Sequence, residues 1–348
     1  PKLAEALRHG VDYLDTAEAY HNGANEQAIG NHLAKAGCRK DVWITTKAEV
    51  PADVTGLRRS LEGSLKRLQT DYVDAFFLHG LDKVELLSEE AWRVVEQLKK
   101  EGKTRFFGFS SCFPASAALL ERAAKVGWVD LAMIGYNFQM LGPQNPETGE
   151  FLKLEGAEKE AYDKAAATWG DEMRRALDAA HKAGIGLIAM KTQRSSLSFA
   201  ERTVKWEDQK YTKGQAVLKA VWEDERIASI CSSMRSLETL RENIAAALDR
   251  QQLGAAQWRA LERYARDMRG AVCDRCDHIC GAHLPAGLQV GSVLRCLTYH
   301  ETYGDPEKAR WEFHALPAGA RRCDGVDFAA ASAACPNGVD IGRWMRRA

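Results

Sequence analysis

The chain reads as an α/β protein: a (β/α)₈ TIM barrel lacking its first strand, followed by a small helical, cysteine-rich module. Three observations predict this. Short apolar runs alternate with amphipathic helical stretches through residue 250. Several helical stretches close on a glycine, as at Gly37, Gly102, Gly127 and Gly184. Three successive apolar runs end on an ionisable residue, Asp15, Lys47 and His79. In a βα-repeating chain the carboxyl ends of the strands converge on one rim, which is the catalytic face of such a barrel.

The elements follow in order. Residues 1–10 form a helix ending on Gly10 with no strand ahead of it, so the chain is expected to be a fragment that lacks β1. Strands are predicted near 11–15, 42–47, 73–79, 104–110, 130–137, 185–191 and 227–233. Helices are predicted near 25–37, 54–69, 88–102, 113–126, 171–184, 212–225 and 236–248. With the missing strand the count is eight, and a doubly wound sheet of seven strands is the alternative. Residues 139–170 are longer than a usual βα loop and, like 194–211, fall on the rim side as a lid or substrate wall. The barrel is assigned to 1–250 and the second module to 251–348.

The 348 residues carry 48 basic and 48 acidic side chains, a formal net charge of zero. No tail or helix concentrates positive charge, which argues against a nucleic-acid partner. No apolar run approaches the ~20 residues of a membrane span. The chain reads as cytoplasmic, with export left open because a leader would precede residue 1. Oligomeric state is not legible.

Asp15, Tyr20, Lys47 and His79 make a plausible proton-delivery site. Reducing a carbonyl requires a proton donor held at its oxygen with acidity suited to neutral pH. A free tyrosine, with a pKa of about 10, is too weak an acid. An adjacent ammonium (Lys47) stabilises its phenolate, a carboxylate (Asp15) keeps the ammonium charged, and a neutral imidazole (His79) orients the carbonyl.

These residues stand in GVDYLDTAEAY (10–20), ITTK (44–47) and YVDAFFLHG (72–80), and in that setting the chain resembles the aldo-keto reductase superfamily. GFSS (108–111), MIGYN (133–137), IAMKT (188–192) and SSMRSLETLREN (232–243) extend the resemblance over about residues 1–250. It implies NADPH- or NADH-dependent interconversion of a small-molecule carbonyl and its alcohol, with Tyr20 as general acid/base. The cofactor would lie extended across the rim, and no G-x-G-x-x-G follows a strand. The cofactor set carried over is Ser110, Met190, Lys191, Ser233, Arg235, Glu242 and Asn243. Ser111 stands where the family often has asparagine, Met133 where many members have glutamine, and Met190 near a position that is often aromatic. Thr239 replaces a common arginine, with Arg235 as a substitute, so NADPH against NADH stays open.

Six of the nine cysteines fall between Cys273 and Cys335. Cys273-x₂-Cys276-x₃-Cys280 and the later Cys335-Pro336 resemble an eroded two-cluster ferredoxin pattern. One [4Fe–4S] cluster on Cys273, Cys276, Cys280 and Cys335 is one expectation. Zinc on Cys273 and Cys276 with His278, Cys280 or Cys335 is a second, and reduced or disulfide-bonded cysteines without metal are a third. At the level of function, a slow or inactive dinucleotide-binding barrel acting as sensor or scaffold is the alternative to the reductase.

Overall fold

The computed structural model describes residues 2–49, 56–112, 115–138, 169–193, 206–234, 236–267, 270, 273, 275–301, 304–335 and 337–348. Seven strands form one sheet: β1 (Tyr13–Asp15), β2 (Trp43–Glu49), β3 (Val73–His79), β4 (Thr104–Ser111), β5 (Leu131–Gly135), β6 (Gly186–Met190) and β7 (Ile227–Cys231). They pair in sequence order, β1 to β7, and every pairing is parallel. Between them run α1 (Lys2–Arg8), α2 (Ala24–Ala36), α3 (Gly56–Leu68), α4 (Glu89–Lys100), α5 (Ser116–Val126) and the helices Trp169–Lys182, Lys213–Trp222 and Leu237–Leu248.

The strands form where they do because both faces are apolar: β3, VDAFFLH, is buried along its length up to His79, as expected of a parallel strand covered on both sides. One face of every strand meets in a single cluster. Ala75, Phe77, Met133 and Ile188 are its core, with Tyr13, Trp43, Phe106, Leu131, Met190 and Cys231 packed against them. A cluster drawing on all seven strands requires the sheet to curl round into a nearly closed barrel. Asp15 lies two residues beyond Tyr13, His79 two beyond Phe77 and Lys47 four beyond Trp43. The period of two therefore carries all three onto the inner face at the carboxyl rim. Outside the sheet, α1 packs against Leu237–Leu248 through Ala6, Leu240 and Ile244, and Arg241 pairs with Glu5 at 2.7 Å. The helical layer thus joins its first and last members.

Gly30 of α2 lies against the carboxyl end of α3. A Cβ there would stand 2.6 Å from the carbonyl oxygens of Arg67 and Leu68. We expect Gly30→Ala to lower stability by about 1–3 kcal/mol through overpacking, read as a lower urea midpoint with an unchanged slope.

The described chain divides into two compact units. One comprises Pro1–Tyr136, Glu172–Lys191 and Asp224–Leu248 and contains the whole sheet. The other comprises Asn137–Asp171, Thr192–Glu223 and Asp249–Ala348. Within the second unit the helices Val290–Glu301 and Ile341–Arg347 bury Val293, Leu294, Leu297, Ile341, Trp344 and Met345 in a common core with Cys280 and Phe328. The Trp344 indole N–H donates to the Gly270 carbonyl at 3.2 Å, and the Gly291 N–H donates to Asp277 at 2.6 Å.

Candidate active site

The three strand ends bring the four side chains together. Lys47 is sealed in the barrel with a side chain 1% exposed, and its ammonium lies 2.5 Å from the Asp15 carboxylate. It also donates to the Thr16 carbonyl at 2.7 Å and reaches the Tyr20 hydroxyl at 3.5 Å. The Tyr20 and His79 rings meet edge-on with centroids 5.5 Å apart. Tyr20 is 36% exposed, so its ring is open to solvent while its hydroxyl turns inward towards Lys47. Among the described residues no side chain hydrogen-bonds the His79 ring.

Electrostatics assigns the protonation states. Burial pushes the Asp15 carboxyl up against the downward pull of Lys47. Burial, the largest single effect, would lower the Lys47 ammonium, but the charge and hydrogen bond of Asp15 together with Tyr20 and Cys231 hold it above its usual value. Tyr20 also lies above its usual value, because burial outweighs the lowering by Lys47. Lys47 pulls the phenol down, the direction expected from sequence, but burial is the larger effect. Tyr20 is a protonated donor at neutral pH.

Burial first, then the charges of Lys47 and Lys191, lower His79 from 6.5 to about 4. Its ring is neutral at physiological pH and can donate one hydrogen bond. The linkage has a definite sign. Between pH 6.5 and about 4 the unfolded chain takes up a proton that the folded ring refuses. The stability due to the neutral ring is complete above the unfolded value and is lost as pH falls through the folded one. We expect the unfolding free energy to fall over that window, and His79→Gln to flatten the slope in urea titrations.

Sequence reasoning missed a fifth member of the cluster, Cys231. It ends β7, faces the barrel interior, and lies near enough to Asp15 for each group to shift the other's titration. Burial, followed by the negative charge of Asp15, raises its thiol, so it remains protonated beside the carboxylate. A lone cysteine closing an apolar strand reads as packing, and only the curl of the sheet shows what it faces.

The expected cofactor residues have mixed placements. Ser110 is buried at the end of β4, and its Oγ accepts from the Gly80 N–H at 2.9 Å, leaving its own proton to donate. Met190 belongs to the barrel-lining cluster. Lys191, in the left-handed region at φ 58°, donates to the Cys112 sulfur at 2.8 Å. Ser233 is exposed beyond β7, Glu242 is half-buried, and Asn243 is buried with its amide donating to Ser232 at 3.1 Å. Arg235 lies outside the described residues, as do 139–168 and 194–205 of the expected rim loops.

These arrangements can be set beside known proteins. The family model described as the aldo/keto reductase family matches residues 2–265. The chain belongs to the aldo/keto reductase family. An aldo-keto reductase of Gibberella moniliformis is 30% identical over 145 residues, 39% of this chain and 43% of the relative. An NADP(+) aldo-keto reductase of Schizosaccharomyces pombe is 30% identical over 158 residues, 42% of this chain and 45% of the relative. The chain therefore spans less than half the length of these curated relatives. Among solved structures, a holo aldo-keto reductase of Bacillus halodurans superposes with a TM-score of 0.58 at 20% identity, covering 75% of this chain and 85% of its own. An aldo-keto reductase of Klebsiella pneumoniae in complex with NADPH gives a TM-score of 0.53 at 23% identity, covering 75% and 84%. At these identities the structures establish the barrel fold of this aldo/keto reductase chain.

Cys273, Cys323 and Cys335 pack against the apolar core that contains Cys280. Among the described residues, no group of three or more His, Cys, Asp or Glu side chains is placed to hold a metal ion. The described cysteines do not fit the expected [4Fe–4S] or zinc site. No helix among the described residues is long and apolar enough to cross a membrane.

Proposed function

We propose that this chain is an NAD(P)H-dependent reductase that interconverts a small-molecule aldehyde or ketone and its alcohol, with Tyr20 as general acid/base. The observation that carries the reading is the buried Asp15–Lys47 ion pair with the Tyr20 hydroxyl 3.5 Å beyond it. A charged pair sealed in a barrel is costly to build, and this one ends on a phenol at an open mouth.

A bound dinucleotide would supply the hydride. Ser110, Met190 and Lys191 at the rim, with Ser233, Arg235, Glu242 and Asn243 around the start of the last barrel helix, would hold it. The NADPH bound to the Klebsiella protein and the NADP(+) in the name of the fission-yeast relative incline the choice to NADPH. The neutral His79 donates a hydrogen bond to the carbonyl oxygen and sets its angle. Tyr20 gives that oxygen its proton, and the Lys47 ammonium stabilises the phenolate left behind. Asp15, paired with Lys47, keeps the ammonium in place. For alcohol oxidation the same groups act in reverse. The reading keeps 1–250 as the reductase barrel and 251–348 as a helical module with reduced thiols, and the [4Fe–4S] cluster has no part in it.

Titrating the purified protein with NADPH and NADH while following tryptophan fluorescence tests the reading. Saturable quenching that is weakened by Glu242→Ala or Asn243→Ala is expected. Folded protein that binds neither dinucleotide would overturn it.

A further inference from the structure

The segment that carries His79 is not held by its own strand alone. Immediately after His79 the chain turns through Gly80, at φ 66°, and the end of β4 grips this turn at three points. The Gly80 N–H donates to Ser110 Oγ at 2.9 Å, and the Leu81 N–H donates to the Ser110 carbonyl at 2.8 Å. The Ser111 hydroxyl donates to the Leu81 carbonyl at 2.8 Å. Behind it, Ser116 at the start of α5 donates to Ser111 Oγ at 3.3 Å. Ser111 and Ser116 are both fully buried.

Alternation along β4 separates the two serines. Ser110 shares the inner face with Phe106 and Gly108, whereas Ser111 faces outward to Ser116, away from the mouth. The Ser111 hydroxyl is taken up by Leu81 and Ser116. Its contacts lead to the Leu81 carbonyl and through that turn to His79, whose ring has no hydrogen-bonding side chain among the described residues to fix it. An imidazole that must donate along a defined line needs an external constraint on its backbone.

We infer that Ser111, backed by Ser116, is a positioning residue for His79, fixing the His79–Gly80–Leu81 turn so that the imidazole meets the carbonyl oxygen at the working angle. The inference rests on the proposed reductase reading. Ser111→Ala removes the donor to Leu81 and the acceptor for Ser116, and the turn relaxes. Misplacing a group by a fraction of an ångström to an ångström costs one to two orders of magnitude in rate.

The experiment is a double-mutant cycle on the full chain. Ser111→Ala is expected to lower kcat about tenfold with NADPH affinity unchanged, and Ser111→Thr, which keeps the hydroxyl, is expected to restore most of it. In a His79→Gln background Ser111→Ala should have no further effect, because coupled residues are non-additive. An equal loss in both backgrounds, an unchanged kcat, or a loss appearing only as weaker NADPH binding would overturn the inference. Should Ser111→Ala not fold, Ser116→Ala carries the same test with a smaller expected loss. The His79 ring resonance, read by NMR without turnover, should move in Ser111→Ala and stay in Ser111→Thr. A moved resonance in a protein that reduces no carbonyl would sink the reductase reading and leave the clamp standing; an unmoved one would sink the clamp.

Discussion

Tyr20→Phe is expected to lower kcat for carbonyl reduction by about 10²–10⁴-fold while leaving dinucleotide binding intact. The substitution deletes one hydroxyl at the mouth and removes the proton donor that the Lys47 ammonium assists. The aromatic ring and its edge contact with His79 persist, so the loss falls on proton transfer. The wild-type pH profile carries a second signature. Burial holds the phenol above its usual value, so the reductive rate should stay level through neutral pH and decline only on the alkaline side, as the donor ionises. Steady-state kinetics from pH 6 to beyond the ordinary tyrosine value of about 10 would show this. A Tyr20→Phe variant with full activity on every carbonyl that the wild type reduces would exclude the assignment.

Lys47→Met is expected to cost about 3–5 kcal/mol of stability as well as activity. Asp15 and Lys47 neutralise each other inside the barrel, and removing the ammonium leaves a buried carboxylate beside the Cys231 thiol without its counter-charge. The double variant Asp15→Asn/Lys47→Met removes both charges and should recover most of the stability, because an ion pair replaced as a unit is often nearly neutral. Activity should not return with stability, since Tyr20 has lost its ammonium. Urea denaturation and kinetics on the three proteins separate these outcomes. A Lys47→Met protein as stable as the wild type would mean that Asp15 is protonated in the folded state and that the pair is not ionic.

The barrel was legible in the sequence because strands and helices have different periods. β3, predicted at 73–79, is found at Val73–His79, and β2, predicted at 42–47, is found at Trp43–Glu49. The catalytic candidates were legible as a set: one ionisable residue closing a strand is usually a surface charge, but Asp15, Lys47 and His79 close three successive strands with Tyr20 beside them. What the sequence could not show lies in the third dimension. Cys231 and Ser111 are small residues closing apolar strands, and their partners Asp15 and Leu81 are 216 and 30 positions away along the chain. The balance of burial against Lys47 at Tyr20 depends on how deeply the hydroxyl is sunk, which spacing does not encode. The tail left three alternatives open in the sequence, and spacing could not choose among them; Cys273, Cys280 and Cys335 all belong to or pack against one apolar core.

The measurement closest to the central claim is hydride transfer itself. Protein, NADPH and a panel of aliphatic and aromatic aldehydes and ketones are mixed, and the loss of reduced nicotinamide is matched against the alcohol formed. The account predicts stoichiometric conversion of at least one carbonyl, abolished in Tyr20→Phe. Tight NADPH binding with no alcohol from any carbonyl would contradict it, and the same barrel would then be a dinucleotide sensor or scaffold.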